Sequence, residues 1–418
     1  SYTNWMWDNQ ISYRFEKKEH RFDVMGVFSM VQNQDELLKG IGNELSYNSL
    51  WYNLQGGTTN NSTSGYTKTS LMSYLARANY SFRDNYFVTA SIRFDGSSKL
   101  AKGNKWGAFP SAALAWRLSG EEFLKNVEWL DNLKVRLSYG QTGNDNVKAY
   151  QTEGATSAVN YYIFGTTDAQ GYVPGNMRNP NLGWERTTEY NVGLDFGFWD
   201  NRIGGSFNYY WNTGKDLLGT MTTPESYGRT SIKANVSSIE NTGWEFEIGG
   251  VPVKTKDFNW TTTMRLSHSS SKITSLWGNN TYQDRVGFPS PGTNGSAGRI
   301  EAGTKIGSYY IWKYAGITDN GRWLLYDKND NVILSDKKTY DDKRYIGNAI
   351  PALMVSWDHT FTYKNLSLGI NLRSWIDFDV FNTINMYYGL SEVAGQNVLR
   401  NAYIDNRHIK EVKQLCDY

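Results

Sequence analysis

Strict alternation of apolar and polar residues is the feature that most constrains this chain. In 131–142, Leu133, Val135, Leu137 and Tyr139 point one way, and Lys134, Arg136, Ser138 and Gly140 the other. In 85–97, Tyr86, Val88, Ala90, Ile92 and Phe94 oppose Phe87, Thr89, Ser91, Arg93 and Asp95. In 187–198, Tyr190, Val192, Leu194, Phe196 and Phe198 oppose Glu189, Asn191, Gly193, Asp195 and Gly197. A helix would repeat its apolar residues at three- and four-residue steps, whereas a strand sends successive side chains to opposite faces. About twelve such strands are predicted, near 3–16, 20–32, 70–82, 85–97, 107–118, 131–142, 187–198, 202–213, 241–255, 258–271, 353–363 and 366–378. They are roughly twice as long as the ~5–6 residues of a soluble strand and cover the ~9–11 that a tilted strand needs to cross a bilayer.

The connections alternate as well. Those within successive hairpins are short: Lys17-Lys18-Glu19, Arg83-Asp84, Trp199 to Asn201, Lys256-Asp257 and Lys364-Asn365. The exception is 119–130, where Glu121 to Lys125 reads as one helical turn. The connections between hairpins are long: 33–69, 98–106, 143–186, 214–240, 272–352 and the tail from 379. Short turns at one rim and long loops at the other are the pattern of an outer-membrane barrel, with periplasmic turns and extracellular loops. Within the long loops, 33–45 has a polar, N-cap-like start and is predicted as a short helix. Segments 230–238 and 306–317 are predicted as small strands outside the membrane.

Composition fits this class and excludes others. The chain has 418 residues, 15% of them aromatic, and its mean hydropathy of −0.58 is too polar for a bundle of spanning helices. A barrel keeps mean hydropathy low because only alternate residues meet lipid, and it uses aromatics for its interfacial girdles. Lys and Arg total 43 against 41 Asp and Glu, a balance that gives no reason to expect a nucleic-acid partner. One cysteine, Cys416, excludes an internal disulfide framework. The four histidines, His20, His268, His359 and His408, are too scattered to form a local zinc motif, and no metal or cofactor is expected. Asp327-Lys328-Asn329-Asp330-Asn331 starts like a calcium loop, but Val332 and Lys338 stand where Gly and Glu are needed, so a solvated turn is expected. No G-x-S-x-G, H-E-x-x-H or P-loop occurs, and no catalytic residue is assigned.

Twelve strands in an open sheet leave two unpaired edges, which lipid does not tolerate, so a larger barrel or a longer polypeptide is expected. Ser1 is not an initiator Met and no charged-then-apolar leader follows it, which points to a removed leader or to a piece of a longer chain.

Six motifs then follow one another in order. They are Thr89-Ala90-Ser91-Ile92-Arg93-Phe94-Asp95-Gly96-Ser97-Ser98, Trp106-Gly107-Ala108-Phe109-Pro110-Ser111, and Leu133-Lys134-Val135-Arg136-Leu137-Ser138-Tyr139-Gly140-Gln141-Thr142-Gly143-Asn144. Asn179 to Asp195, with Asn179-Pro180-Asn181-Leu182-Gly183-Trp184-Glu185 at its head, Asn241-Thr242-Gly243-Trp244-Glu245-Phe246-Glu247 and Tyr345-Ile346-Gly347-Asn348-Ala349-Ile350-Pro351 complete the series. The series resembles the SusC/RagA-type TonB-dependent transporters of the bacterial outer membrane. The resemblance implies an all-β, antiparallel transmembrane β-barrel of about 22 strands with long extracellular loops and a plugged lumen. On that pattern residues 1–418 are a middle-to-late barrel segment, and the plug domain and the last strands lie outside the chain. It also implies a SusD-like surface lipoprotein as lid, the TonB complex acting through the plug, outer-membrane lipid around the wall, and oligosaccharide or peptide substrates. A passive porin, an outer-membrane barrel enzyme and a soluble glycan-binding domain are the alternatives.

Residue roles divide by face. Arg14, Glu16, Arg77, Arg93, Arg117, Lys134, Arg136, Glu189, Asp195, Arg265 and Arg373 are expected to face inward, because a charge on the lipid side costs ~2–4 kcal/mol at mid-bilayer. The strand aromatics, such as Tyr86, Phe94, Tyr190, Trp211, Trp260 and Phe361, are expected to face lipid. Aromatics in the polar loops suit substrate contact, since rings stack on sugar faces with little entropy loss. The substrate-binding candidates are Trp51, Tyr52, Tyr66, Trp277, Tyr282, Trp312 and Trp323. Tyr161, Tyr162, Tyr309 and Tyr310 share that setting.

Overall fold

The structure, a computed structural model, describes residues 1–45, 47, 52–57, 59–164, 167–224, 226, 231–277, 281–285, 297–389 and 397–400. Its strands are β1 (Tyr2–Lys17), β2 (His20–Asn43), β3 (Thr59–Phe82), β4 (Tyr86–Ser97), β5 (Trp106–Arg117), β6 (Leu130–Asn144), β7 (Ala155–Phe164), β8 (Thr167–Asn176), β9 (Glu185–Phe198), β10 (Ile203–Thr222), β11 (Ser231–Lys254) and β12 (Phe258–Ser275). Seven short strands follow: β13 (Tyr282–Arg285), β14 (Gly298–Glu301), β15 (Ser308–Trp312), β16 (Tyr314–Ile317), β17 (Trp323–Tyr326), β18 (Val332–Leu334) and β19 (Lys343–Asn348). Then come β20 (Leu353–Tyr363), β21 (Leu366–Ile376) and the one-turn helix α1 (Thr383–Tyr388). All twelve predicted strands form. The chain divides into two compact units, Ser1–Asn201 with Tyr210–Ser238, and Arg202–Tyr209 with Ile239–Tyr418.

In the first unit β1, β2, β3, β4, β5, β6 and β9 are neighbours in that order, every described pair antiparallel. The register carries one apolar face across all of them. Ile11 lies opposite Gly26, Gly26 opposite Ala76, Ala76 opposite Ile92, and Ile92 opposite Pro110. Val88, Leu114, Leu137 and Val192 form a second row on the same face. This face is apolar and also bare: Ile11 is 76% exposed and Leu137 48%. A period-two strand that slipped by one residue would turn all these side chains to the other face. The opposite face holds the charges in pairs, with Arg136 bidentate on Asp195 at 2.7 and 2.9 Å, Arg93 on Asp95 at 2.7 Å and Arg14 on Asp23 at 3.3 Å. The short turns use left-handed backbone at Lys18, Arg83, Asp84, Trp199, Asp200 and Asn201, the conformation that closes tight hairpins.

Two expectations change here. Residues 33–43 are strand, not helix, and 59–69 are strand, not loop, because Asn33 to Asn43 pair residue by residue with Thr69 to Thr59. The segment 59–69, with threonine at 59, 63, 67 and 69, supplies a partner for backbone groups that a helix would have satisfied internally. Tyr66 is therefore a strand residue. In 119–130 the expected turn is present: the Lys125 N–H donates to the Glu121 carbonyl at 3.2 Å, between tighter turns ending at Leu124, Val127 and Leu130.

In the second unit β11, β12, β20 and β21 are neighbours. Trp260, Phe361 and Leu368 share one cross-strand row, and Met264, Trp357 and Leu372 the next. His359 belongs to this apolar face, between Thr262 and Ile370, and the Trp260 indole N–H donates to its Nδ1 at 3.3 Å. On the polar face Arg265 bridges Glu247 at 2.7 Å and Asp358 at 2.6 Å. The predicted small strands in 306–317 are β15 and β16, whereas 231–238 is the first part of β11 and not a separate element.

Candidate functional site

The connection from β12 to β20 folds into its own assembly, mounted on the end of β12. The Ile306 N–H donates to the Ser271 carbonyl at 2.9 Å, and the Gly303 N–H to that of Ile273 at 2.8 Å. On the far side Asn348 donates from its side chain to the Ile306 carbonyl at 3.0 Å and from its backbone N–H to Asp379 at 2.9 Å. Gly347 has φ +67° against the Asp379 carboxylate, where a side chain would collide, so the Tyr345–Pro351 motif is the mounting bracket.

β13, β14, β15 and β19 form an antiparallel sheet with Arg299 of β14 at its centre. The guanidinium lies 3.7 Å from the Tyr282 ring centroid and 3.8 Å from that of Tyr310, and its Nε donates to Asp284 at 2.8 Å. Only 8% of the Arg299 side chain is exposed. The Tyr340 hydroxyl donates to the same Asp284 carboxylate and accepts from Arg299 at 3.1 Å. Burial pushes the Asp284 carboxyl up, and the hydrogen bonds and charge of Arg299 and Tyr340 outweigh it, leaving the group below the usual carboxylate range. Lys343, 5% exposed, stands 4.4 Å from the Trp312 ring and 4.8 Å from that of Tyr340, and burial holds its ammonium below the ordinary lysine value. Planar guanidinium stacking and cation–π contact fix the aromatic rings in place at low entropic cost.

β16, β17 and β18 form the second small sheet. The 327–331 turn joins β17 to β18, and the Asp327 carboxylate accepts from the backbone N–H groups of Asn329 and Asn331, each at 2.8 Å, and from the Asn331 amide at 3.1 Å. Asp342 ties this turn to its neighbour, accepting from the N–H groups of Thr339 at 2.7 Å and Lys328 at 2.9 Å. Those backbone donors hold its carboxyl below the usual range. A depressed carboxylate stabilises the folded form above its unfolded pKa of ~3.9 and loses that contribution as pH falls through the folded value. Hydrogen exchange of 327–342, corrected for the intrinsic rate, is expected to speed up below about pH 4. Asp342→Asn is expected to exchange fast at neutral pH and to lose that pH dependence.

In the first unit the long-loop ends of β4, β5, β6 and β9 meet in a buried apolar knot of Leu100, Ala101, Phe109, Val147, Leu182 and Trp184. Trp184 meets Phe109 edge to face at 5.3 Å and donates its indole N–H to the Lys105 carbonyl at 2.9 Å. Phe109 lies across Gly107 and Gly143, where a Cβ would enter its ring. Asn235 clamps the same knot, accepting from the Gly183 N–H at 2.9 Å and donating to the Asp216 carbonyl at 2.7 Å. Lys99 pairs with Asp145 at 2.9 Å.

Residues 1–402 match the family model described as TonB dependent receptor-like, beta-barrel. The chain belongs to this family. The TonB-dependent receptor P3 of Formosa agariphila is 30% identical over 91% of the chain and 39% of its own length. The TonB-dependent receptor SusC of Bacteroides thetaiotaomicron is 33% identical over 75% of the chain and 32% of its own length. The chain thus spans about two fifths or less of these receptors. Among solved structures, the RagAB peptide transporter matches with TM-score 0.83 and 23% identity, covering 94% of this chain and 43% of that one. The fold is that of a TonB-dependent receptor barrel of SusC/RagA type, an outer-membrane protein.

Within this receptor segment the predicted binding residues separate. Tyr282 and Trp312 come together on the Arg299 sheet, while Trp323 packs edge to face on Tyr314 at 5.4 Å in the smaller sheet. Tyr52 is 69% exposed in the β2–β3 connection. Tyr66 is 54% exposed and falls in the even-numbered series of β3 with Tyr74 and Ala76, beyond Lys68 and Ser70 and opposite Glu36. Trp277 is half-buried just past β12. Trp51, the side chains of Tyr161 and Tyr162, and Cys416 lie outside the described residues. Sequence reading missed Arg299, Asp284, Tyr340 and Lys343, the groups that organise the loop assembly. Only the β-strand-like Tyr309-Tyr310-Ile311-Trp312 run hinted at a folded sheet there.

Proposed function

We propose that this chain supplies wall and extracellular loops to an active outer-membrane importer of bulky nutrients, oligosaccharides or peptides. The observation that supports the reading is the folded, mounted assembly of 281–285 and 297–348 at the long-loop end of a TonB-dependent receptor wall. A passive pore needs no such structure, whereas a receptor that captures solute does. In this reading residues 1–418 are barrel wall, and a plug elsewhere in the receptor couples to the TonB complex. A SusD-like lipoprotein closes over the loops, and lipid surrounds the apolar face. The exposed rings of Tyr282, Tyr340 and Tyr345 form one contact surface, and Trp51, Tyr52, Tyr66, Trp277, Trp312 and Trp323 contribute by direct contact or by holding the loops. The lumenal pairs Arg136–Asp195 and Arg93–Asp95 pack against the plug.

The test is uptake by cells carrying the full-length receptor. Uptake of a labelled oligosaccharide or peptide pool is expected to require TonB, and removal of 281–348 is expected to abolish it while the barrel still assembles. TonB-independent uptake that survives the deletion would instead identify a passive porin.

A further inference from the structure

The turn rim of the first unit carries one connection unlike the rest. Most turns there are tight, but 118–129 spends twelve residues joining β5 to β6. It folds as consecutive tight turns rather than as an open loop. Its position is set by Glu121, whose carboxylate accepts from the Trp116 indole N–H at 3.1 Å and from the Asn85 amide at 3.4 Å. Gly120 packs on the buried Asn85 side chain, leaving no room for a Cβ. Trp116 belongs to the apolar face, opposite Tyr86 and Val135 and stacked on the Tyr86 ring at 6.2 Å. The segment is thus fastened at the rim, through Trp116 to the apolar face and through Asn85, whose side-chain oxygen accepts from Arg117 at 3.3 Å, to the polar one.

The segment displays two large rings among polar residues. Phe123 is 66% exposed and Trp129 52%, and the exposed residues around them, Glu122, Lys125, Asn126 and Glu128, are polar. Trp129 lies 5.6 Å from Phe198, which is followed by Trp199 at 54% exposure, so the exposed rings extend from the segment onto the end of β9. Beside Phe123 a cavity of about 960 Å³ is lined by charges of both signs, among them Arg83 and Glu19, and by the rings of His20, Phe82 and Tyr86. Exposed rings set among charges of both signs, and joined through Trp116 to the apolar face of the sheet, match the layer where headgroups meet acyl chains.

We propose that 118–129 is an interfacial anchor that seats Phe123 and Trp129 in the headgroup layer of the periplasmic leaflet and fixes the depth of this part of the wall. Glu121 is its positioning residue. It stays ionised because the Trp116 hydrogen bond, followed by that of Tyr86, holds its carboxyl below the ordinary value. An ionised carboxylate is the stronger acceptor for the girdle donors.

The experiment uses the full-length receptor in phosphatidylethanolamine vesicles, with Cys416→Ser and single cysteines carrying a nitroxide. Labels at Phe123→Cys and Trp129→Cys are expected to collide with oxygen several-fold more than with a water-soluble nickel chelate, approaching a Leu137→Cys label in the wall. Labels at Glu122→Cys and Asn126→Cys are expected to favour the nickel reagent. If the 123 and 129 labels are as water-accessible as those at 122 and 126, the anchor does not exist. Should a cysteine variant fail to fold, quenching by lipids brominated near the ester group decides. The wild-type protein is expected to lose more fluorescence than Trp129→Phe, and equal loss would overturn the proposal. Neither readout involves transport, so a failure here leaves the importer reading standing.

Discussion

Gly143→Val is expected to be the most damaging single substitution in the wall. A Cβ at 143 enters the Phe109 ring, and the ring cannot retreat: Gly107 lies beneath it and Trp184 packs on its edge at 5.3 Å. Overpacking costs ~1–3 kcal/mol where neighbours can yield, and displacing a core aromatic adds a share of the ~3–5 kcal/mol that deleting one costs. A loss of about 3 kcal/mol or more is therefore expected in urea refolding of the full-length receptor. The mechanism has a distinctive signature. Because both changes act on one contact, Gly143→Val combined with Phe109→Ala is expected to cost clearly less than the two added together. Strict additivity would mean that the ring and the glycine are not in conflict.

Arg299→Met is expected to release the loop assembly and leave the wall intact. Methionine keeps much of the volume but removes the charge that Tyr282, Tyr310 and Asp284 are built around. Breaking a buried pair from one side costs ~3–5 kcal/mol when the abandoned charge is fully buried. Asp284 is 27% exposed and can recover some hydration, so about 2–3 kcal/mol is the expected local loss. Protease cleavage and hydrogen exchange should rise across 281–348, with heat-modifiable mobility of the barrel unchanged. Arg299→Lys is not expected to rescue, since an ammonium cannot stack between two rings while holding the carboxylate. Asp284→Asn should be the milder change, because the guanidinium keeps both ring contacts.

The wall was legible in the sequence because the signal and the structure share one period. Alternation in segments such as 131–142 sorts the residues onto two faces, and the register keeps each set on one face from Ile11 to Val192. The β2–β3 extension was hidden because Leu37 and Leu38 are adjacent and, apart from Ile41 and its two flanking glycines, the rest of 33–43 is polar, so pairing with 59–69 decides the conformation, not local pattern. The loop assembly was hidden for a related reason. Its organising contacts join Arg299 to Asp284 and Tyr340, 15 and 41 residues apart, and no local spacing announces them. The motifs that carry the family resemblance turned out to be packing devices. Gly107, Gly143, Phe109 and Trp184 come from three separate motifs and meet in one knot. Their glycines stand out in a sequence, but what they make room for is visible only in three dimensions.

The central claim is that this chain is a membrane wall with one lipid-facing and one lumenal side. It is tested most directly by scanning β6 with single nitroxide labels from 133 to 140 in the full-length receptor, in vesicles, against oxygen and a water-soluble nickel chelate. The account predicts a period of two, with 133, 135, 137 and 139 in the lipid phase and 134, 136, 138 and 140 shielded from it. Uniform access to the aqueous reagent, or lipid contact on the even-numbered side that holds Arg136, would contradict it.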